Sequence, residues 1–191
     1  DCPLQHEYPK TLVDRSTKNY ELKKKLFEGS KNLSIVACSE WIGNFVRDSF
    51  LKDKPLTIIH NGVDLKVFRP TLPKKSFEDG KFRILAVSNV WNKEKGIDDI
   101  YKLREFISDD YQITIVGLSE KQVKTLPSGV IGIQRTQNVQ ELVNLYSESD
   151  VLINPTYADT FPTVNLEALA CGTPIITYRT GGSPEAIYEK T

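Results

Sequence analysis

Short apolar runs alternating with helix-period segments along almost the whole chain predict an α/β protein built on a doubly wound parallel sheet. Part of a second unit of the same kind is expected ahead of it. A break in the alternation between Asn61 and Gly80, carrying Asn-Gly, prolines and several lysines, separates the two and reads as a linker or long surface loop. At 191 residues the chain is long enough for one compact domain and an extra segment, and too short for two full domains.

Ahead of the break, helix is expected over residues 18–28, strand over 33–37, helix over 40–50 and strand over 56–60. Residues 1–62 are accordingly assigned to the end of a preceding domain with its linker, and 63–191 to the main domain. Beyond the break, the runs FRILAVS (82–88), QITIV (112–116), VIGIQ (130–134), VLIN (151–154) and PIITY (174–178) are expected as strands, since β-branched side chains suit a sheet buried on both faces. Helices are expected between them over 97–107, 120–126, 139–147 and 163–170, with a last one near Pro184. Right-handed crossovers would put those helices on both faces, and ligands of such sheets bind beyond the carboxyl ends of the strands. The loops after Ser88, Val116, Gln134, Asn154 and Tyr178 are therefore the places to look.

Composition narrows the partners. Lys+Arg and Asp+Glu are equal at 25 each, so no overall positive field draws the chain to nucleic acid or to an anionic membrane, and any anion site must be local. Cys2, Cys38 and Cys171 are far apart and lack metal-ligand spacing, so no metal is assigned and a reducing cytoplasm fits. No apolar run approaches the roughly 20 residues that span a bilayer, which leaves at most peripheral membrane contact, as at the inner face. The chain opens abruptly at Asp1 and has no Met, so it is expected to be a piece of a longer protein.

The most informative stretch is DTFPTVNLEALACGTPII (159–176), which enters a helix straight after a buried strand. Thr163 is expected to cap that helix, with Pro162 where a missing N–H is harmless. The free backbone N–H groups of Thr160, Phe161, Thr163 and Val164 would suit a phosphate or a sugar hydroxyl. Between Val164 and Gly172 only Asn165 and Glu167 are polar, so Glu167 should be a carboxylate with little water around it. Two vicinal ribose hydroxyls would satisfy it in a forked geometry, and Asp159 would hold a sugar hydroxyl likewise. The alternative is that Glu167 lies on a solvated stripe and Asp159 in a simple turn. After the strand at 82–88, Lys93 and Lys95 precede a helix that Gly96 helps open, a placement that suits a departing diphosphate or else merely a solvated turn.

Asp159 and Glu167, eight residues apart with Glu167 opening EALACGTP, give this chain its resemblance to the large retaining glycosyltransferase family 4, whose GT-B enzymes pair two Rossmann-like halves. The resemblance covers about Phe82 to Ile187. It implies that Glu167 holds the ribose of a nucleoside-diphosphate sugar, such as a UDP- or GDP-sugar, and that Asp159, Thr160, Phe161 and Pro162 face the sugar. It matches Lys95 to the family's Lys-Gly step, while the family's arginine has no clear counterpart, leaving Lys93 or Arg135 as substitutes. Backbone near Arg135-Thr136 would reach the base. Asp stands where the family usually has Glu, and TFP where it often has GFG. NGVD (61–64) with Phe68 and Pro70 resembles the family's interdomain stretch, and Thr180-Gly181-Gly182 its TGG-x-x-E segment, or equally a tight turn.

The implied activity is sugar transfer with retention to a glycan or lipid-linked glycan acceptor, in bacterial surface polysaccharide assembly, with no cofactor. Acceptor-side groups would lie in the absent first half, so this chain alone should bind donor and transfer little. His6 and His60 are assigned no role. A dinucleotide-dependent oxidoreductase would need G-x-G-x-x-G after the strand at 82–88, and SNVWNKEKG lacks it. A non-catalytic sugar- or nucleotide-binding module remains the alternative.

Overall fold

The computed structural model describes residues 12–71 and 77–187. They form two compact units that part between Ile59 and His60, three residues before the expected boundary.

The smaller unit holds α1 (Ser16–Glu28), β1 (Ile35–Ala37), α2 (Glu40–Arg47) and β2 (Leu56–Ile58). β1 and β2 pair in parallel, Ile35 opposite Leu56, with α2 as the crossover. Ser39 caps α2 by accepting the Ile42 N–H at 3.2 Å. The helix stops at Arg47 rather than Phe50 because Ser49 turns back on the Val46 carbonyl through both its N–H and its hydroxyl.

In the larger unit a five-stranded parallel sheet runs in the order β5-β4-β3-β6-β7. Its strands are β3 (Phe82–Val87), β4 (Tyr111–Val116), β5 (Val130–Ile133), β6 (Val151–Asn154) and β7 (Ile175–Thr177). Between them come α3 (Ile97–Phe106), α4 (Glu120–Lys124), α5 (Val139–Glu148) and α6 (Thr163–Ala170). Residues 183–186, expected as a helix near Pro184, are a single 3₁₀ turn, Ser183–Ala186. All other expected elements of the larger unit are present, with ends moved by a residue or two.

Alternation of side chains sorts the core into two layers. Ile84, Ala86, Ile113, Ile115, Val151 and Ile153 pack against Ile97 and Ile100 of α3 and, with Leu118, against Val123 of α4. From the same strands Leu85, Val116 and Leu152 point the other way, onto Val143 and Tyr146 of α5 and Ala168 of α6. Helices on both faces are what a doubly wound sheet requires, and the sheet here has the expected fold class.

Residues 61–71 form neither helix nor strand, as the sequence suggests, yet they are not a free linker. Val67 and Phe68 pack on the α5–α6 layer, Phe68 edge-on to Tyr146 at 6.4 Å. Lys66, Val67 and Phe68 all donate backbone N–H bonds to Asp64.

Gly96 sits at the mouth of the sheet in the left-handed conformation, φ +74°, as the cap residue of α3. A Cβ there would lie 2.2 Å from the Pro155 carbonyl oxygen, so the loops after β3 and β6 touch through backbone alone. Gly96→Ala is expected to cost about 2 kcal/mol or more. Urea unfolding should show this as a lower midpoint, and an unchanged midpoint would contradict the close approach.

Candidate functional site

Strand order reverses between β3 and β6, so the connections leaving those strands run to opposite sides. Their ladder is also short. It pairs only Ile84 with Val151 and Leu85 with Leu152, whereas β3 stays paired with β4 as far as Val87 and Val116. A cleft of about 420 Å³ opens there, walled by Ser88 and Asn89 beyond β3, Asn154 at the end of β6, and the start of α6.

Lys95, Asp159 and Glu167, 72 residues apart at the extremes, all line that cleft, together with Phe161, Pro162, Thr163 and Val164. Lys95 Nζ lies 2.5 Å from Asp159 Oδ2. Among the described residues of the lining, Lys95 is the only cation. Three of the expected residues stay apart from it. Thr160 is exposed and outside the lining, and Arg135 is exposed beyond the end of β5. Lys93 borders a separate hollow with Glu94, Asp98 and Tyr157. Neither substitute for the missing arginine reaches the cleft.

The loop carrying Lys95 is held at several points. Trp91 is buried, and its indole N–H donates to the Val116 carbonyl at 2.8 Å, pinning the loop over β4. The Lys95 N–H bonds Asn92 Oδ1 at 2.9 Å, and the Glu94 carbonyl accepts the Tyr157 N–H at 2.7 Å. Tyr157 and Tyr178 both donate to Asp99 Oδ2, which ties the loops after β6 and β7 to α3. That bond to Asp99 pushes the Tyr157 hydroxyl up to about 12.

The start of α6 differs from expectation. Pro162 is the cap residue, Thr163 is the first helical residue, and no side chain caps the helix. Thr163 is engaged elsewhere, by a hydrogen bond to Glu167 one turn on. Of the backbone donors expected to face a ligand, the Phe161 N–H already bonds Asp159 Oδ1 at 3.2 Å. The helix start thus holds its own acid as well as presenting open N–H groups.

Glu167 is partly buried, and its Oε2 accepts the hydroxyl of the fully buried Tyr146 at 2.8 Å. The fork expected for two ribose hydroxyls is therefore partly taken. A carboxylate offers about four acceptor positions, and Tyr146 with Thr163 uses two. Tyr146 was not foreseeable as a partner, because nothing local in sequence links it to a residue on another helix. Its only sequence signal is that a tyrosine on an apolar helix face needs an acceptor for its hydroxyl.

Burial pushes the Glu167 carboxyl above its ordinary range, and the bonds from Tyr146 and Thr163 pull part of that back. A carboxyl raised in the folded state favours folding while it is protonated. That contribution is complete below its unfolded pKa and is lost as pH rises through the folded value. Glu167→Gln keeps an oxygen for Tyr146 and cannot ionise. The melting temperature of the variant minus that of wild type should therefore rise between about pH 4 and about pH 7. Paired thermal melts test this, and a flat difference would contradict it.

Residues 81–191 match the family described as glycosyl transferases group 1. The chain is 31% identical over 147 residues to the D-inositol 3-phosphate glycosyltransferase of Arthrobacter sp. (strain FB24), an alignment covering 67% of this chain and 35% of that protein. It is 26% identical over 169 residues to the Campylobacter jejuni N,N'-diacetylbacillosaminyl-diphospho-undecaprenol alpha-1,3-N-acetylgalactosaminyltransferase, covering 80% of this chain and 44% of that one. Sucrose-phosphate synthase from Thermosynechococcus elongatus superposes with TM-score 0.74 at 21% identity, over 95% of this chain and 50% of its own. Anabaena HepE, solved with UDP and glucose, superposes with TM-score 0.69 at 16% identity, over 91% of this chain and 51% of its own. The chain spans between a third and about half of the length of these relatives. The superpositions establish the fold, a GT-B-type sheet, and the match over 81–191 establishes that the chain belongs to the group 1 glycosyl transferases.

Proposed function

We propose that this chain is the donor-binding part of an enzyme that transfers a sugar, with retention, from a nucleoside diphosphate to an acceptor hydroxyl. The observation that carries the proposal is the single cleft at the strand-order reversal that joins Lys95, Asp159 and Glu167. An acid able to accept hydroxyls and a cation beside a helix start both line it. A ribose and a diphosphate need that pairing of groups.

In this reading the free acceptor positions of Glu167 take ribose hydroxyls, while Tyr146 and Thr163 fix its orientation. Lys95 and the open N–H groups at the start of α6 hold the diphosphate. As the anomeric bond loosens, negative charge builds on the departing phosphate, and preorganised donors stabilise it more than they stabilise the bound donor. Asp159, paired with Lys95, Phe161 and Pro162 face the sugar. Thr160, outside the cleft lining, has no direct part, and neither Lys93 nor Arg135 substitutes for an arginine at the phosphates.

The Anabaena relative was solved with UDP, which supports a nucleotide ligand and favours uridine. The names of the Arthrobacter and Campylobacter relatives support an acceptor that is a small polyol phosphate or a lipid-linked glycan. We place the whole enzyme in surface polysaccharide or glycolipid assembly at the cytoplasmic face of a membrane. No described helix is long and apolar enough to cross one. Acceptor groups would come from the part of the relatives that this chain does not span, so the chain alone binds donor and turns over little.

Calorimetric titration with UDP, GDP and ADP tests the proposal. One of the three is expected to bind, with UDP first in order. Glu167→Ala should weaken it by about tenfold or more, as expected when a charged acceptor for two hydroxyls is lost. Binding by none of the three, or equal binding by the variant, would sink the assignment.

A further inference from the structure

His60, the first residue of the larger unit, is fastened to the loop that carries Asp159. Its ring stacks on Phe161 with centroids 4.8 Å and planes 15° apart. Its Nε2 lies 3.1 Å from Glu185 Oε2. A carboxylate only accepts, so this ring nitrogen carries the hydrogen.

Both of those partners bear on Asp159. The Phe161 N–H donates to Asp159 Oδ1 at 3.2 Å. Glu185 stands in the 3₁₀ turn that follows Gly181 and Gly182, and the Gly182 N–H donates to the Asp159 carbonyl at 2.9 Å. Gly181 approaches so closely, at φ +57°, that a Cβ on it would sit 2.2 Å from the same carbonyl oxygen. Thr180 completes the clasp by donating its hydroxyl to the Thr156 carbonyl at 2.6 Å. Asp159 is therefore gripped at its carboxylate by Lys95 and Phe161 and at its carbonyl by the turn after β7. His60 braces both grips.

The His60 side chain is 46% exposed, while Phe161 beneath it is 4% exposed. A half-exposed imidazole adds little to core burial, so its two contacts matter chiefly for where the loop sits. We propose that His60 is a positioning residue for the donor site, holding Asp159 in place against Lys95 through Phe161 on one side and Glu185 on the other. The inference rests on the donor-binding reading above.

The test separates the two ends of the ligand. UDP, GDP and ADP, and the matching monophosphates UMP, GMP and AMP, are titrated into wild type, His60→Ala and His60→Tyr, with a thermal melt of each. His60→Ala should fold normally and bind the preferred monophosphate within about twofold of wild type, while losing about tenfold for the diphosphate. His60→Tyr, which restores a ring over Phe161, should recover most of that loss. An unchanged diphosphate-to-monophosphate ratio in His60→Ala, or an equal loss of both ligands, overturns the positioning role. A tyrosine variant as weak as the alanine variant overturns the part played by the stacked ring. If wild type binds none of the six nucleotides, the donor-binding reading itself fails and this inference with it.

Discussion

The geometry of the site depends on how little of β3 is paired with β6. Parallel strands with crossovers on the same side can run side by side to their ends, as β3 and β4 do. Where the strand order reverses, the two outgoing chains leave in opposite directions and no backbone fills the space between them. The ladder ends at Leu85 and Leu152, and two loops must then come back toward each other above the gap. They meet where Gly96 lies against Pro155, a contact that a side chain would prevent. Lys95 is one residue before that contact and Asp159 four residues after it, so their ion pair follows from the backbone crossing.

Within the cleft the charges are unequal in their support. Lys95 and Asp159 lie on loops, each held by several main-chain bonds. Glu167 lies on a helix packed into the core, with a buried tyrosine beneath it. Glu167 is therefore placed by core packing, whereas the ion pair depends on the agreement of the loops after β3, β6 and β7. Such a division suits a ligand with an invariant part and a variable part, since loops can change without disturbing the sheet.

Much of this arrangement is legible in sequence. Five apolar runs with helical segments between them specify the sheet, and β6 and α6 begin and end where their residues predict. The spacing of Asp159, Glu167 and Lys95 on strand-end loops and a helix start anticipates one cleft. The parts that are not legible are those decided by long-range packing. Thr163 has the chemistry of a cap, yet its hydroxyl goes to Glu167, whose burial competes for it. Tyr146 reaches Glu167 only because α5 and α6 lie side by side. His60 has no sequence signal beyond its position before Asn61, because its ring finds Phe161 about a hundred residues later. Lys93 and Arg135 fall outside the cleft lining, since sequence places cations near strand ends without saying which side of the loop they occupy.

Trp91 gives the loop that carries Lys95 a built-in optical reporter. Its indole is buried, with the ring N–H on the Val116 carbonyl and the Trp91 carbonyl accepting from Gln122, so its emission depends on how that loop seats over β4. The chain has two tryptophans, and the other, Trp41, belongs to the smaller unit. Exchanging Trp41 for phenylalanine leaves Trp91 as the single tryptophan, a few residues from the cleft. The movement of the loop can then be followed in real time without attaching a dye.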